Sequence, residues 1–148
     1  MEARLNGFHH VKLPVSDVAR SRDWYCRVLG YTVDIEFVED GVLAGVGLAD
    51  PGRTAGIALR GDPDRAVAMK GFDAFALGLP SVAEVARWRE RLDALGEPHG
   101  GVVTGARGGS VLVGLHDPDG IEIRLYADPD DAPTSGGPGP AGADGGGA

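Results

Sequence analysis

Cysteine is nearly missing from this chain: Cys26 is the only one among 148 residues, so no internal disulfide can form. The spacing places Cys26 on a helix with no histidine beside it to activate the thiol, and it reads as a small helix residue. No apolar run reaches the roughly 18 residues needed to cross a membrane, and the start, MEARLNGFHH, has no signal-peptide core. Basic residues are also scarce, with 14 Lys and Arg against 22 Asp and Glu, for a net charge of −8 and a pI near 4.8. A surface of that sign repels phosphate backbones, and no basic patch offsets it, so neither nucleic acid nor membrane is an expected partner. Together these features point to a cytoplasmic protein.

What is present is an ordinary globular composition, 43% hydrophobic and 24% charged, in a length that suits one domain with its own core. From Asp128 onward the chain is DPDDAPTSGGPGPAGADGGGA, with almost nothing to bury, and residues 128–148 are expected to be disordered. The working domain is expected within residues 1–127.

That domain repeats one plan. Residues 9–30, HHVKLPVSDVARSRDWYCRVLG, begin with Val11, Leu13 and Val15 alternating with His10, Lys12 and Pro14, the pattern of a half-buried strand. A helix follows, with Ser16 or Asp17 as N-cap, Val18, Tyr25, Val28 and Leu29 at helical spacing, and Gly30 at its end. Residues 73–96, DAFALGLPSVAEVARWRERLDALG, do the same: Phe75, Leu77 and Leu79 alternate, and Ser81 with Glu84 forms a capping box. Val85, Trp88, Leu92 and Leu95 are the stripe to be buried, and Gly96 is the stop. Trp24 and Trp88 match at an offset of 64, and both are read as helix packing. Three strand candidates follow each helix, at about 31–38, 42–48 and 55–60, then 100–105, 110–116 and 121–127. GDPDR at 61–65 is a cluster of turn formers inside a linker of residues 61–69, between modules of about 5–60 and 70–127. The fold class is therefore α+β, with two tandem βαβββ modules.

This order, with HHVKLPVSDVARSRDWYCRVLG early and DPDGIEIRLY late, resembles the vicinal oxygen chelate superfamily of glyoxalases, bleomycin resistance proteins and extradiol dioxygenases. The resemblance implies a cupped, mostly antiparallel sheet with helices on its outer face, a small-molecule ligand and a homodimer. In metal-dependent members one ligand comes from the first strand and one from the last strand of each module. Carried over, those positions are His10, Ala58, Ala74 and Arg124. Only His10 keeps a ligating side chain; methyl groups have no lone pair, and a guanidinium is always protonated. No metal or other cofactor is expected, and a divalent metal ion held by an altered ligand set is the alternative.

Strand parity then predicts the cup's contents. Glu122, Arg124 and Tyr126 share one face, Phe8 and Lys12 share that of His10, and Gly56, Ala58 and Arg60 share another. On 110–116, Val111, Val113 and Leu115 read as helix-facing, leaving Leu112, Gly114 and His116 inward. Two uses follow. The cup binds a small, anionic molecule, with Phe8, Lys12, Ala58, Arg60, Ala74, His116 and Tyr126 as contacts. Alternatively it is an enzyme (lyase, isomerase or oxygenase) with His10 as base and Arg124, beside Glu122, as oxyanion partner. A plainer reading of Glu122 and Arg124 is that they pair with each other or with Lys12. His9, of opposite parity, reads as structural, and His99 as exposed.

Overall fold

The computed structural model describes residues 1–130, so the expected disorder of 128–148 lies, except for its first three residues, outside the described residues. Those three belong to the domain: the Asp130 carboxylate accepts the Val82 N–H at 2.9 Å.

The elements run β1 (Val11–Val15), α1 (Val18–Leu29), β2 (Thr32–Glu39), β3 (Val42–Ala49), β4 (Ile57–Gly61), α2 (Pro63–Met69), β5 (Phe75–Gly78), α3 (Val82–Leu95), β6 (Val102–Thr104), β7 (Ser110–His116) and β8 (Glu122–Ala127). They form two four-stranded mixed sheets, ordered β1-β4-β3-β2 and β5-β8-β7-β6. In each, the first strand pairs parallel with the last and the other pairings are antiparallel. This is the tandem βαβββ plan. The linker adds one element that the turn formers concealed: Asp62 caps α2, accepting from the Arg65 N–H at 3.1 Å, and Pro63 opens it where a missing N–H costs nothing.

Helix ends fall where the caps predict. Asp17 accepts the Arg20 N–H at 3.0 Å, Ser81 accepts the Glu84 N–H at 3.3 Å, and Gly30 and Gly96 take left-handed conformations. Between helices and sheets lies one apolar core, to which Leu13, Tyr25, Val28 and Leu59 contribute from the first module and Val85, Leu92, Leu112 and Leu125 from the second. Each fully buried side chain of this size contributes roughly 1.5–3 kcal/mol. Leu95, expected in the α3 stripe, is 37% exposed at the helix end.

The faces of β7 differ from the alternation. Leu112 and Leu115 both join the core, because a register shift between them adds a residue at the bulge. Gly114 makes that bulge with φ 72°, and a Cβ there would lie 2.6 Å from the Gly100 nitrogen. Val111 pairs with Tyr126, on the face away from the helices. A single extra residue thus reverses the inferred orientation of Val111 and Leu112.

Two motifs hold the modules together. The 117–120 DPDG turn docks on the start of α1: Asp119 accepts the Ser16 N–H at 3.0 Å and lies 3.7 Å from the Arg20 guanidinium. Buried Asp117 accepts Tyr25 O–H at 2.9 Å, the Asp119 N–H at 2.9 Å and the Ile121 N–H at 3.0 Å. Burial pushes the Asp117 carboxyl above its usual range, against the lowering effect of these bonds. Burial, with Asp117 adjoining, raises the Tyr25 phenol well above its ordinary value. At the other end of α1, Arg91 of α3 donates to the Val28 and Arg27 carbonyls at 3.1 and 3.0 Å, satisfying groups the helix leaves open.

Candidate functional site: an open cup on the first sheet

The face of the first sheet away from the helices is shaped by rows of cross-strand neighbours. One row reads Lys12, Ala58, Gly47, Ile35, and the next Pro14, Arg60, Gly45, Phe37. In the first row the small Ala58 and Gly47 hold the middle and the longer Lys12 and Ile35 the sides, so that row is concave by composition. At Gly47 a Cβ would already stand 2.7 Å from Ile35 Cγ2, so larger residues there would push into the hollow. The result is a cavity of about 970 Å³ whose walls include Phe8, His9, His10, Lys12, Ile35 and Phe37. Its size matches ligand sites, and its mix of apolar walls with a few polar groups matches their chemistry.

Charge is distributed unevenly. Arg60 donates twice to Glu39, both at 2.9 Å, which holds the Glu39 carboxyl below its usual range. Arg53 meets Asp34 at 2.9 Å at the cavity's rim, both side chains at least half exposed. Lys12 has no carboxylate within ion-pair distance among the described residues. His9 and His10 approach Nδ1 to Nδ1 at 2.8 Å, a contact that makes one ring donor and the other acceptor.

The predicted site residues divide between two sheets. Phe8, His10, Lys12, Gly56 and Ala58 line the cavity. Arg60 shares the face but is committed to Glu39. Ala74, His116, Glu122, Arg124 and Tyr126 belong to the second module and are not among the cavity's lining residues. Arg124 contacts Glu122 closely and Asp73 at 3.4 Å, so the plainer pairing is what forms, with Asp73 in place of Lys12. Tyr126 accepts the Ala106 N–H at 3.0 Å and braces the 105–109 hairpin. His116 pairs in register with Glu122 and is exposed, whereas Ala74 packs against the core.

Other cavity residues escaped the sequence reading. Ile35 and Phe37 were legible as an alternating pair, but nothing in the strand shows that its apolar side faces away from the helices. His9 lines the cup because residues 6–10 precede β1, where strand parity has no hold. His99, read as exposed, is tucked in: its side chain is 10% accessible, 2.7 Å from Asp93 and accepting the Gly101 N–H.

A family-type metal centre needs about three ligands oriented around one point. Among the described residues no three His, Cys, Asp or Glu side chains group in that way. The positions implied by the resemblance hold one imidazole, two methyl groups and a guanidinium already held by two carboxylates. This donor set does not fit the metal.

A model of the family described as Glyoxalase/Bleomycin resistance protein/Dioxygenase superfamily matches residues 7–125. A glyoxylase/bleomycin resistance protein/dioxygenase domain from Frankia sp. EAN1pec superposes with a TM-score of 0.68 at 22% identity, covering 87% of this chain and 96% of that one. Lactoylglutathione lyase from Agrobacterium tumefaciens gives 0.68 at 19% identity, with 84% and 96% covered. TnmS3, an antibiotic binding protein from Streptomyces sp. CB03234, gives 0.67 at 19% identity, with 86% and 99% covered. At these identities the likeness shows the fold alone. No curated protein matches the sequence.

Proposed function

Because the chain belongs to the glyoxalase, bleomycin resistance protein and dioxygenase superfamily, we propose that it binds a small molecule in the cup of its first sheet without a coordinated metal. The ligand is partly aromatic or apolar and carries an acidic group. One observation carries this reading: a cavity whose floor is Gly47 and Ala58, and which holds, beside the Arg53–Asp34 pair, a second cation, Lys12, that no carboxylate among the described residues neutralises. Arg124, the first candidate for that anchor, already faces two acidic neighbours and has less charge to offer. TnmS3, described as an antibiotic binding protein, lends the binder reading a precedent on this fold. An enzyme using His10 as base is the second reading, favoured by the position of His10 on the cavity wall.

The cup is open, and β2 exposes Val33, Ile35, Phe37 and Val38. A homodimer that covers this apolar strand belongs to the proposal. No helix among the described residues is long and apolar enough to cross a membrane.

The test uses 8-anilinonaphthalene-1-sulfonate, a fluorescent aromatic anion, with a chelator present. Saturable binding of one probe per cup is expected, weakened about fivefold or more by Lys12→Ala, the loss of one charge-assisted contact at a partly screened site, and unchanged by Arg124→Ala. Binding that requires an added divalent ion, or no saturable binding, overturns the reading. Mass measurement in solution tests the dimer, which a monomer at micromolar concentration would contradict.

A further inference from the structure

The rim of the cup is more elaborately held than an exposed loop requires. Between β3 and β4, the Asp50 carboxylate accepts the Thr54 N–H at 2.9 Å, the Ala55 N–H at 2.9 Å and the Thr54 hydroxyl at 3.1 Å. The Arg53 N–H closes the turn on the Asp50 carbonyl at 3.0 Å, and Tyr31 O–H pins Ala55 from below at 2.6 Å. Within that clasp Arg53 has φ 53°, a left-handed conformation that costs a non-glycine residue roughly 1–2 kcal/mol. Its guanidinium is thereby set against Asp34 on the cavity wall.

The Arg53–Asp34 pair cannot be what maintains this arrangement. Both side chains are well exposed, at 67% and 50%, and pairs of that kind contribute between nothing and about 1 kcal/mol. A weak pair at the mouth of a cavity is easily exchanged, and a guanidinium offers two parallel donors to any carboxylate, sulfonate or phosphonate that takes the place of Asp34.

We infer that Arg53 is a specificity-determining residue: it joins Lys12, the other cation of the cavity, in binding the acidic group of the ligand, exchanging Asp34 for that group at the rim, while the ligand's apolar body lies on Ile35 and Phe37. The inference rests on the cup being the binding site. Asp34 then acts as a built-in competitor, which only an anionic group able to pair with Arg53 displaces.

Two fluorescent probes separate the inference from the reading beneath it: 8-anilinonaphthalene-1-sulfonate and its uncharged counterpart N-phenyl-1-naphthylamine. Arg53→Ala is expected to weaken the sulfonate about tenfold, the loss of a charge-assisted pair of hydrogen bonds, and to leave the neutral probe unchanged. Asp34→Asn, which removes the competitor, is expected to tighten the sulfonate severalfold and not the neutral probe. Both residues are exposed and distant from the core, and unchanged thermal melting checks that both variants fold. If both probes bind saturably and Arg53→Ala alters neither, or both equally, the role of Arg53 is refuted while the cup stands. If neither probe binds, the cup and the inference fall together.

Discussion

Asp117 offers the sharpest mechanical test of how the two modules are joined. Its carboxylate is 4% exposed and receives three donors, the Tyr25 hydroxyl and the Asp119 and Ile121 N–H groups. Asp117→Ala leaves all three without a partner in a site closed to water. At roughly 1–3 kcal/mol per stranded donor, partly offset because a costly buried charge is also removed, the loss is on the order of 3–5 kcal/mol. Tyr25→Phe removes one donor only and should cost about 1–2 kcal/mol. Asp117→Asn keeps the shape and can still accept both N–H groups, so it should cost less than Asp117→Ala. A Tyr25→Phe, Asp117→Asn double-mutant cycle by urea unfolding should give a coupling of at least ~0.5 kcal/mol.

The pH dependence of Asp117 has a definite sign. Its folded pKa is raised by burial, so its stabilising contribution is complete below the unfolded value, near pH 4, and is lost as pH climbs through the folded value. Wild type should therefore lose stability relative to Asp117→Asn as pH rises from about 4 toward neutrality. The reasoning fails if Asp117→Ala costs under about 1 kcal/mol, or if the two proteins keep a constant gap across that range.

Two other perturbations probe the fold and the cup. Leu112→Ala should cost on the order of 3 kcal/mol in denaturant unfolding, since Leu112 is fully buried, whereas Val113→Ala should cost under about 1 kcal/mol; the reverse ranking would deny the bulge at Gly114. Gly47→Leu should abolish binding of the aromatic sulfonate, with a lowered melting temperature because its Cβ must displace Ile35 Cγ2, 2.7 Å away, but with the fold retained; retained affinity would move the site elsewhere.

Local signals served the sequence reading well. Asp17, Ser81, Gly30 and Gly96 end the helices where capping chemistry requires, and Leu13 and Val15 fill the core that their alternation implies. Lys12 and Ala58, which parity sets facing away from the core, are cross-strand neighbours that line the cavity. It broke down at Gly114, where one left-handed glycine moves Leu112 to the core and Val111 away from it. The Asp62–Pro63 start of α2 was present in GDPDR but looked like a turn, because seven residues give too little periodicity to see. Alternation gives each sheet its faces without saying which faces meet, so His10 and Arg124 could be assigned to one cup when His10 leads into the first sheet and Arg124 lies on the second. Nor does a strand disclose its ion pairs. The commitment of Arg124 to Glu122 and Asp73, on which the proposed anchoring role of Lys12 rests, depends on a residue from the segment before β5.

Whether the cup works without an ion is settled most directly by the metal content of the purified protein after dialysis, measured by mass spectrometry alongside binding of the sulfonate probe. With one imidazole and no carboxylate or second histidine at the corresponding positions, divalent metal should fall well below one per chain while probe affinity is undiminished. One firmly held ion per chain, lost together with probe binding in His10→Ala, would contradict the account.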